Sequence, residues 1–433
     1  MLQITLHLLG TEFVKKTRSY LLLLSLFWGI IGFFYFLLMV LMERFFDAFC
    51  YFVILESIAT LVIAPNSHGI HRKVLLLKGL LFLFSITLAF VDVKGSNFIL
   101  SLAFGLIYLS IGVFNIASAI VVRFVMWRRV IIWGSIQIGY SLFLILNYNY
   151  VISYVLGFIM MTSSIRSIIV LIKKNQSEDN NSTRTSQLSR KYNKSNNNFD
   201  AEIQGSSKHL IIPLTVHIWT PEGSAENPYI PRPVINRYIA ATDIKGIIST
   251  GHAAIELGSE LYMSLYPKDE IDRSPKEFIR TLKATPENNV LGRYLPDYQS
   301  EISEWCESNI KINFTKYNVQ ALKQFWEKNY HNPIYNLTSN NCSSNTAYAL
   351  EAALEGVLHN ENSNIFTFFK FITKPEVWLA AQIRNRAIMM AWTPGLVMDY
   401  TRALHSIVQP TSKPWHKFSI LEKITIRDFF ASN

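Results

Sequence analysis

The stretch that most limits what this chain can fold into is YLLLLSLFWGIIGFFYFLLMVLM, residues 20–42, which holds no charged side chain. A bilayer's hydrocarbon core takes about 20 helical residues to cross. Inside it only a helix or a closed barrel satisfies the backbone. The run is too long for the apolar region of a cleavable signal peptide, so it reads as a retained span. Five more apolar runs follow, at 48–64, 74–90, 98–122, 130–146 and 150–172. Residues 1–174 are therefore expected to form an all-α, six-helix transmembrane bundle.

Loop charges orient it. Lys15, Lys16 and Arg18 precede the first run, Arg72 and Lys73 separate the second from the third, Arg123, Arg128 and Arg129 the fourth from the fifth, and Lys173 and Lys174 follow the sixth. The opposite loops carry only Arg44 and Lys94. By the positive-inside rule both termini are cytoplasmic. Much of the net charge of +10 is thus topological, and no nucleic-acid partner is expected.

The spans read as three hairpins, with glycines set among large apolar residues, as in LFWGIIGFFYF, LAFGLIYLSIGVFNI and WGSIQIGYSLFLI. Small residues let membrane helices approach closely, so these mark helix–helix faces. On span count and glycine placement, residues 10–174 resemble the HdeD family of bacterial six-span inner-membrane proteins, known from acid resistance. That resemblance implies a bacterial inner membrane and allows a non-enzymatic stress protein with a binding-only soluble domain. Glu56 and Arg166 are charges within spans and functional candidates on that ground. Arg166 lies near the cytoplasmic end, within snorkelling reach. Glu56 is about two turns deeper, so no direct pair between them is expected.

At 175–208 the composition turns to Asn, Ser and charge, NQSEDNNSTRTSQLSRKYNKSNNN among them. No apolar period survives, and a disordered tether is expected. Beyond it, residues 209–360 read as a soluble α+β domain. HLIIPLTVHIWT is a buried strand, and a proline-rich turn follows through Pro221, Pro228, Pro231 and Pro233. IISTGHAAIEL and ELYMSLYP form a hairpin. Alternation sets His252, Ala254 and Glu256 on one face of it. A turn at 257–259 would bring Ser264 opposite His252. SPKEFIRTLKA at 274–284 has helical spacing, IKINF is a short strand, and 319–330 a helix.

The chemistry centres on YNLTSNNCSSNTAYALEAALEG, residues 335–356. Cys342 opens a helix of small residues, preceded by side chains able to cap it and followed by Gly356. A thiol at a helix N-terminus beside an imidazole is lowered in pKa and made nucleophilic. The first-turn amides of Cys342 and Ser343 are donors without intrahelical acceptors, suited to a developing oxyanion, with Asn341 adjacent. His252 is the matching general base. Ser264 is the positional choice for a third polar group, with Tyr262 and Glu256 in reserve. A lone cysteine at a helix start is more often a packing residue, and a lone strand histidine structural. The two together, in this order, point to chemistry. Cys306 lacks such a base and reads as structural, while His331 and His359 lie in polar loops. Three sparse cysteines without C-x-x-C suit a reducing compartment.

The order of Gly251-His252 to Gly258 on an early strand, then Asn341-Cys342 at a later helix start, is similar to the circularly permuted papain-like thiol enzymes. These are the relatives of NlpC-type peptidases and of lecithin retinol acyltransferase, and the similarity covers about residues 245–356. It implies a Cys–His enzyme, peptidase, amidase or acyltransferase, working through a thioester. The acyltransferase branch carries a second histidine where this chain has Ser264. No metal or nucleotide motif is present, and no cofactor is expected. Residues 361–433, rich in Phe and Trp with interspersed Lys and Arg, form a helical extension that either lies in the membrane interface or covers the thiol domain. The expected protein is thus a membrane-anchored cysteine hydrolase or acyltransferase, acting on a membrane lipid or a membrane-associated protein.

Overall fold

The computed structural model describes residues 1–37, 43–64, 69–90, 96–124, 126–148, 151–192, 212–220, 241–242, 248–269, 271, 280–331, 333–359 and 365–410. The proline-rich segment after residue 220, the start of the expected 274–284 helix, the tether beyond 192 and the chain beyond 410 lie outside them.

The N-terminal region is helical: α1 (Leu2–Leu37), α2 (Glu43–Ile63), α3 (Gly69–Phe90), α4 (Ser96–Val122), α5 (Trp127–Leu146) and α6 (Val151–Tyr192). Among the described residues, four helices are long and apolar enough to cross a membrane: Leu2–Leu37, Phe98–Val122, Trp127–Leu146 and Ser153–Ile172. The second and third expected spans correspond to shorter apolar helices, Val53–Val62 and Leu75–Phe84. Glu56 does have a charged partner, but it is Lys78, whose Nζ lies 2.5 Å from Glu56 Oε1.

The helices pair α1 with α6, α2 with α3 and α4 with α5. This is one step out of phase with hairpins made of spans one–two, three–four and five–six. Glycines do mark the contacts: a Cβ on Gly32 would come 2.7 Å from the Met160 Cβ, and one on Gly112 2.8 Å from the Gly134 carbonyl. α6 also outruns the sequence expectation, continuing to Tyr192 where a disordered tether was expected from Asn175. A transmembrane helix has already met the cost of nucleation, so polar helix-compatible residues can propagate it.

The C-terminal region carries small antiparallel sheets. One has the order β5-β4-β1-β8, with β1 (Leu214–Trp219), β4 (His252–Leu257), β5 (Leu261–Met263) and β8 (Ile310–Phe314). A second joins β6 (Leu265–Pro267), β7 (Val290–Tyr294) and β9 (Ile334–Tyr335); a third pairs β2 (Ala241–Thr242) with β3 (Ile248–Ser249). The helices are α7 (Tyr298–Glu304), α8 (Val319–Tyr330), α9 (Cys342–Ala353), α10 (Ile365–Ile372), α11 (Pro375–Met389) and α12 (Pro394–Val408).

One apolar core joins most of these. Val216, Ile218, Ala253, Ile255 and Leu257 of the central strands face Ala347, Leu350 and Leu354 from α9 and its end. Val377, Ala380, Val397 and Leu404 of α11 and α12 close over them, so these two helices cover the thiol-bearing region. Behind α9, Arg384 grips Glu351 with two bonds of 2.7 and 3.0 Å, and the Tyr400 hydroxyl donates to the same carboxylate at 2.8 Å.

The N-terminus also belongs to this core. α1 is broken at Gly10 (φ 81°), and the segment before it turns away to bury Ile4 and Leu8 in the α/β core. The Gly356 amide donates to the His7 carbonyl at 3.0 Å, and the Leu358 amide to that of Leu8 at 3.0 Å. Only glycine suits Gly10, because a Cβ there would meet the Gly356 Cα at 2.9 Å and the φ is left-handed. Further contacts tie the two regions together. Ser118 of α4 donates to the Met389 carbonyl, and the Ala284 amide donates to the Val122 carbonyl at 2.7 Å.

Candidate active site

Cys342 is the first residue of α9. Its position is set by the residue before it. The Asn341 side chain accepts from the Ser344 amide at 2.8 Å, while the Ser344 hydroxyl accepts from the Asn341 amide at 2.8 Å, a reciprocal capping box. The Asn341 Nδ2 then donates to the Leu337 and Trp392 carbonyls at 2.8 and 2.9 Å. Both ends of that amide are engaged, so Asn341 caps the helix directly beside Cys342. The Cys342 and Ser343 amides, in the first turn, lack intrahelical acceptors by the geometry of the helix. The Ser343 hydroxyl lies 3.9 Å from the Cys342 sulfur.

His252 opens β4, level with Trp219 of β1. Cys342 lines the same cleft as His252, and the imidazole and the Ala253 amide both act on its thiol. In the ring, Nε2 lies 2.8 Å from the Ser264 hydroxyl and 3.3 Å from Glu301 Oε1. Tyr266 stacks on the ring with centroids 4.2 Å apart and planes 14° from parallel.

The hairpin differs in register from the sequence expectation. Its turn is Gly258–Glu260, and the ladder pairs Leu257 with Leu261, Glu256 with Tyr262 and Ile255 with Met263. Continued, that register sets Ser264 level with Ala254 and Tyr266 level with His252. The shift is two residues, so the face is kept, and Ser264 reaches the imidazole diagonally.

Glu301 is the residue that sequence reasoning missed. It sits on α7, fully buried, and accepts from the hydroxyls of Tyr262 and, at 2.6 Å, Tyr266. Burial first, and then the Glu301 charge, push both phenols far above their ordinary pKa, so they stay donors. No element is expected from sequence over YQSEISE, whose apolar side is only Tyr298 and Ile302, four residues apart. The one legible signal was Asp297, which caps the helix by accepting from the Ser300 amide at 2.6 Å.

The two reserve candidates have other duties. Tyr262 donates to Glu301, and Glu256 pairs instead with His217, Nε2 to Oε2 at 2.9 Å. His217 also bonds Ser308 through Nδ1 at 3.0 Å and stacks on Tyr298 at 4.0 Å. Burial holds its imidazole below the ordinary range, with Glu256 pulling the other way. This second histidine–carboxylate pair is structural in position and does not touch Cys342.

The electrostatics of Cys342 favour the thiolate. Burial pushes the thiol up. The charge of His252 and the hydrogen bonds from His252, the Ala253 amide and Ser343 outweigh it, and hold the thiol below its ordinary value. Cys342 and His252 open on a cleft of about 310 Å³, walled by Leu265, Pro267, Leu295, Trp305 and Tyr335 with Glu304 among the lining groups. No basic side chain other than His252 lines it among the described residues. Nor is any group of three or more His, Cys, Asp or Glu side chains gathered as a metal site among them. Cys306, by contrast, is exposed, and His331 and His359 are not among the residues lining the cleft.

The chain matches no family model, no curated protein and no solved structure.

Proposed function

We propose that the chain is a membrane-anchored thiol enzyme, a hydrolase or acyltransferase that passes an acyl group through a thioester on Cys342. The observation that carries this is that Cys342 and His252 line one cleft, with the imidazole Nε2 held by Ser264 and Glu301. A cysteine kept for packing alone has no use for a partnered imidazole.

In the first half-reaction His252 accepts the thiol proton and the sulfur attacks the carbonyl carbon of an amide or ester. The electron pair goes to the carbonyl oxygen, which the Cys342 and Ser343 amides can hold. Collapse expels the amine or alcohol, which takes the proton from the imidazolium, and leaves a thioester. In the second half-reaction water or another acceptor gives its proton to His252 and attacks the thioester. The acyl group departs and the proton returns to sulfur. Glu301 and Ser264 are positioning residues that hold the ring and favour its cationic form.

The resemblance to permuted papain-like enzymes supports the same reading, with the six-span topology, cytoplasmic active site and bacterial inner membrane proposed alongside it. A membrane lipid and a membrane-associated protein are the substrate classes proposed. The apolar, ring-lined cleft suits the acyl side of either.

The test uses the full-length protein in lipid nanodiscs and compares alkylation of Cys342 with that of Cys306 by mass spectrometry. Cys306 is exposed and serves as the internal reference. The reading expects Cys342 to react faster despite its burial, and to lose that advantage in His252→Ala. A Cys342 that labels more slowly than Cys306 and ignores His252→Ala would leave only the non-enzymatic, binding-only alternative.

A further inference from the structure

The short helix α10, IFTFFKFI, carries four phenylalanines in eight residues and buries only one face of them. Phe368 is buried in a cluster with Phe13, Val14 and Leu21 of α1 and Leu171 of α6. On the other side Phe366 is 77% and Phe369 42% exposed, and on the next helix Trp378 is 44% exposed. Phe366 and Phe369, at i and i+3, and Trp378 together make an exposed aromatic surface.

The height of this patch is marked by α1. The turns that meet α10 include Lys15, Lys16 and Arg18. From Tyr20 onward the outward residues of α1 become large and apolar, with Tyr20, Leu23, Phe27 and Ile30 all more than half exposed. The patch thus lies where α1 passes from charged to lipid-facing, within about two helical turns of that boundary. Cations frame it. Lys374 Nζ stands 4.7 Å from the Phe371 ring centroid, and Lys78 of α3 stands 5.8 Å from Trp378 and 5.4 Å from Phe82. Lys370 lies on α10 itself. Aromatic rings beside lysines at this depth are the composition of a membrane interface.

We propose that Phe366, Phe369 and Trp378, framed by Lys370, Lys374 and Lys78, form a shelf seated at the headgroup–acyl boundary of the bilayer, with a preference for anionic lipid. The proposal rests on the membrane-spanning reading above and is independent of the thiol chemistry. Its partner is argued from continuity with the lipid-facing surface of α1 and from charge complementarity to phosphate headgroups. Its consequence is that the covering helices of the thiol-bearing region are fixed at the membrane surface, so the cleft works close to lipid.

Photo-crosslinking in nanodiscs of equimolar phosphatidylcholine and phosphatidylglycerol tests it. A benzophenone amino acid replaces, one at a time, Phe366, Phe369, Phe27 within α1 and Leu291, which is exposed on β7. Expected are lipid adducts at 366, 369 and 27, none at 291, and at 366 an excess of phosphatidylglycerol over its mole fraction. Lipid at 27 but not at 366 overturns the shelf, as does an adduct at 366 to a second copy or to residues 411–433. Absence of lipid at 27 as well overturns the spanning reading beneath it. Adducts at 366 in proportion to mole fraction overturn the anionic preference.

Discussion

Glu301 Oε1 lies 3.3 Å from His252 Nε2, and both side chains are buried with two tyrosine hydroxyls closing the carboxylate's other contacts. Ser264 touches the same nitrogen at 2.8 Å. A carboxylate stabilises an imidazolium through charge, whereas a hydroxyl only orients it. Glu301→Gln is therefore expected to lower turnover by about 10²-fold with little change in KM. Ser264→Ala should cost less, about tenfold or under. Because the substrate is unidentified, the first measurement is the alkylation rate of Cys342 in each variant. Equal rates in Glu301→Gln and the parent protein would remove Glu301 from the site.

The Cys342 thiol, though raised by burial, is held below its ordinary value by His252 and three hydrogen bonds. Alkylation should then already be fast at neutral pH and fall as acid protonates the thiolate, with a midpoint below that of Cys306. Removing the cation in His252→Ala should move the midpoint up, since burial is then less opposed. A rate–pH profile on both cysteines of the same sample reads this directly. A downward shift in His252→Ala would contradict the electrostatic account.

The Asn341 side chain makes three hydrogen bonds that set the start of α9. Loss of a cap costs about 1 kcal/mol, and the Leu337 and Trp392 carbonyls would lose a buried donor besides. Asn341→Ala is expected to destabilise the thiol-bearing region by about 2–3 kcal/mol, seen as a lowered thermal midpoint. Asn341→Asp keeps the cap acceptor and should recover part of it.

Gly10 faces Gly356 with φ 81°, and a Cβ there would lie 2.9 Å from the opposing Cα. Gly10→Ala must pay about 1–2 kcal/mol for the left-handed backbone and then push the segments apart. Hydrogen–deuterium exchange is the sensitive readout. The Gly356 and Leu358 amides, now bonded to His7 and Leu8, should lose protection while the β1–β4 ladder keeps its own.

The Glu56–Lys78 pair joins α2 to α3. Lys78→Met leaves the half-buried Glu56 carboxylate without its cation, at a cost of about 1–2 kcal/mol. Replacing both residues, Glu56→Gln with Lys78→Met, should be milder than Lys78→Met alone. Unfolding in mixed micelles for the two singles and the double completes the cycle. A double variant worse than the sum of the singles would argue against pairing.

Several elements were legible because they depend on short-range periodicity. The 319–330 helix, the IKINF strand and the hairpin after Gly251 follow from spacings of 3.6 and 2 residues. Even the two-residue error in the hairpin was tolerable, since an even slip keeps His252 and Ser264 on one face. An odd slip would have removed Ser264 from the imidazole. What escaped was nonlocal. Lys78 lies within the third expected run, but its partner is set only when α3 lies beside α2, and nothing local marks Glu301 of α7 for burial.

The chain alone determined that a long apolar N-terminal half must be helical, that a small-residue helix begins at Cys342, and that a strand histidine shares a face with Ser264. Each depends on residues near one another in sequence, where backbone geometry and alternation are sufficient. Only the tertiary structure decided that Glu301 stands behind His252, that Asn341 binds the Trp392 carbonyl and that the N-terminal segment crosses into the core of the thiol-bearing region. These are juxtapositions of segments tens to hundreds of residues apart. No local period encodes them, because they arise from how whole surfaces bury against each other.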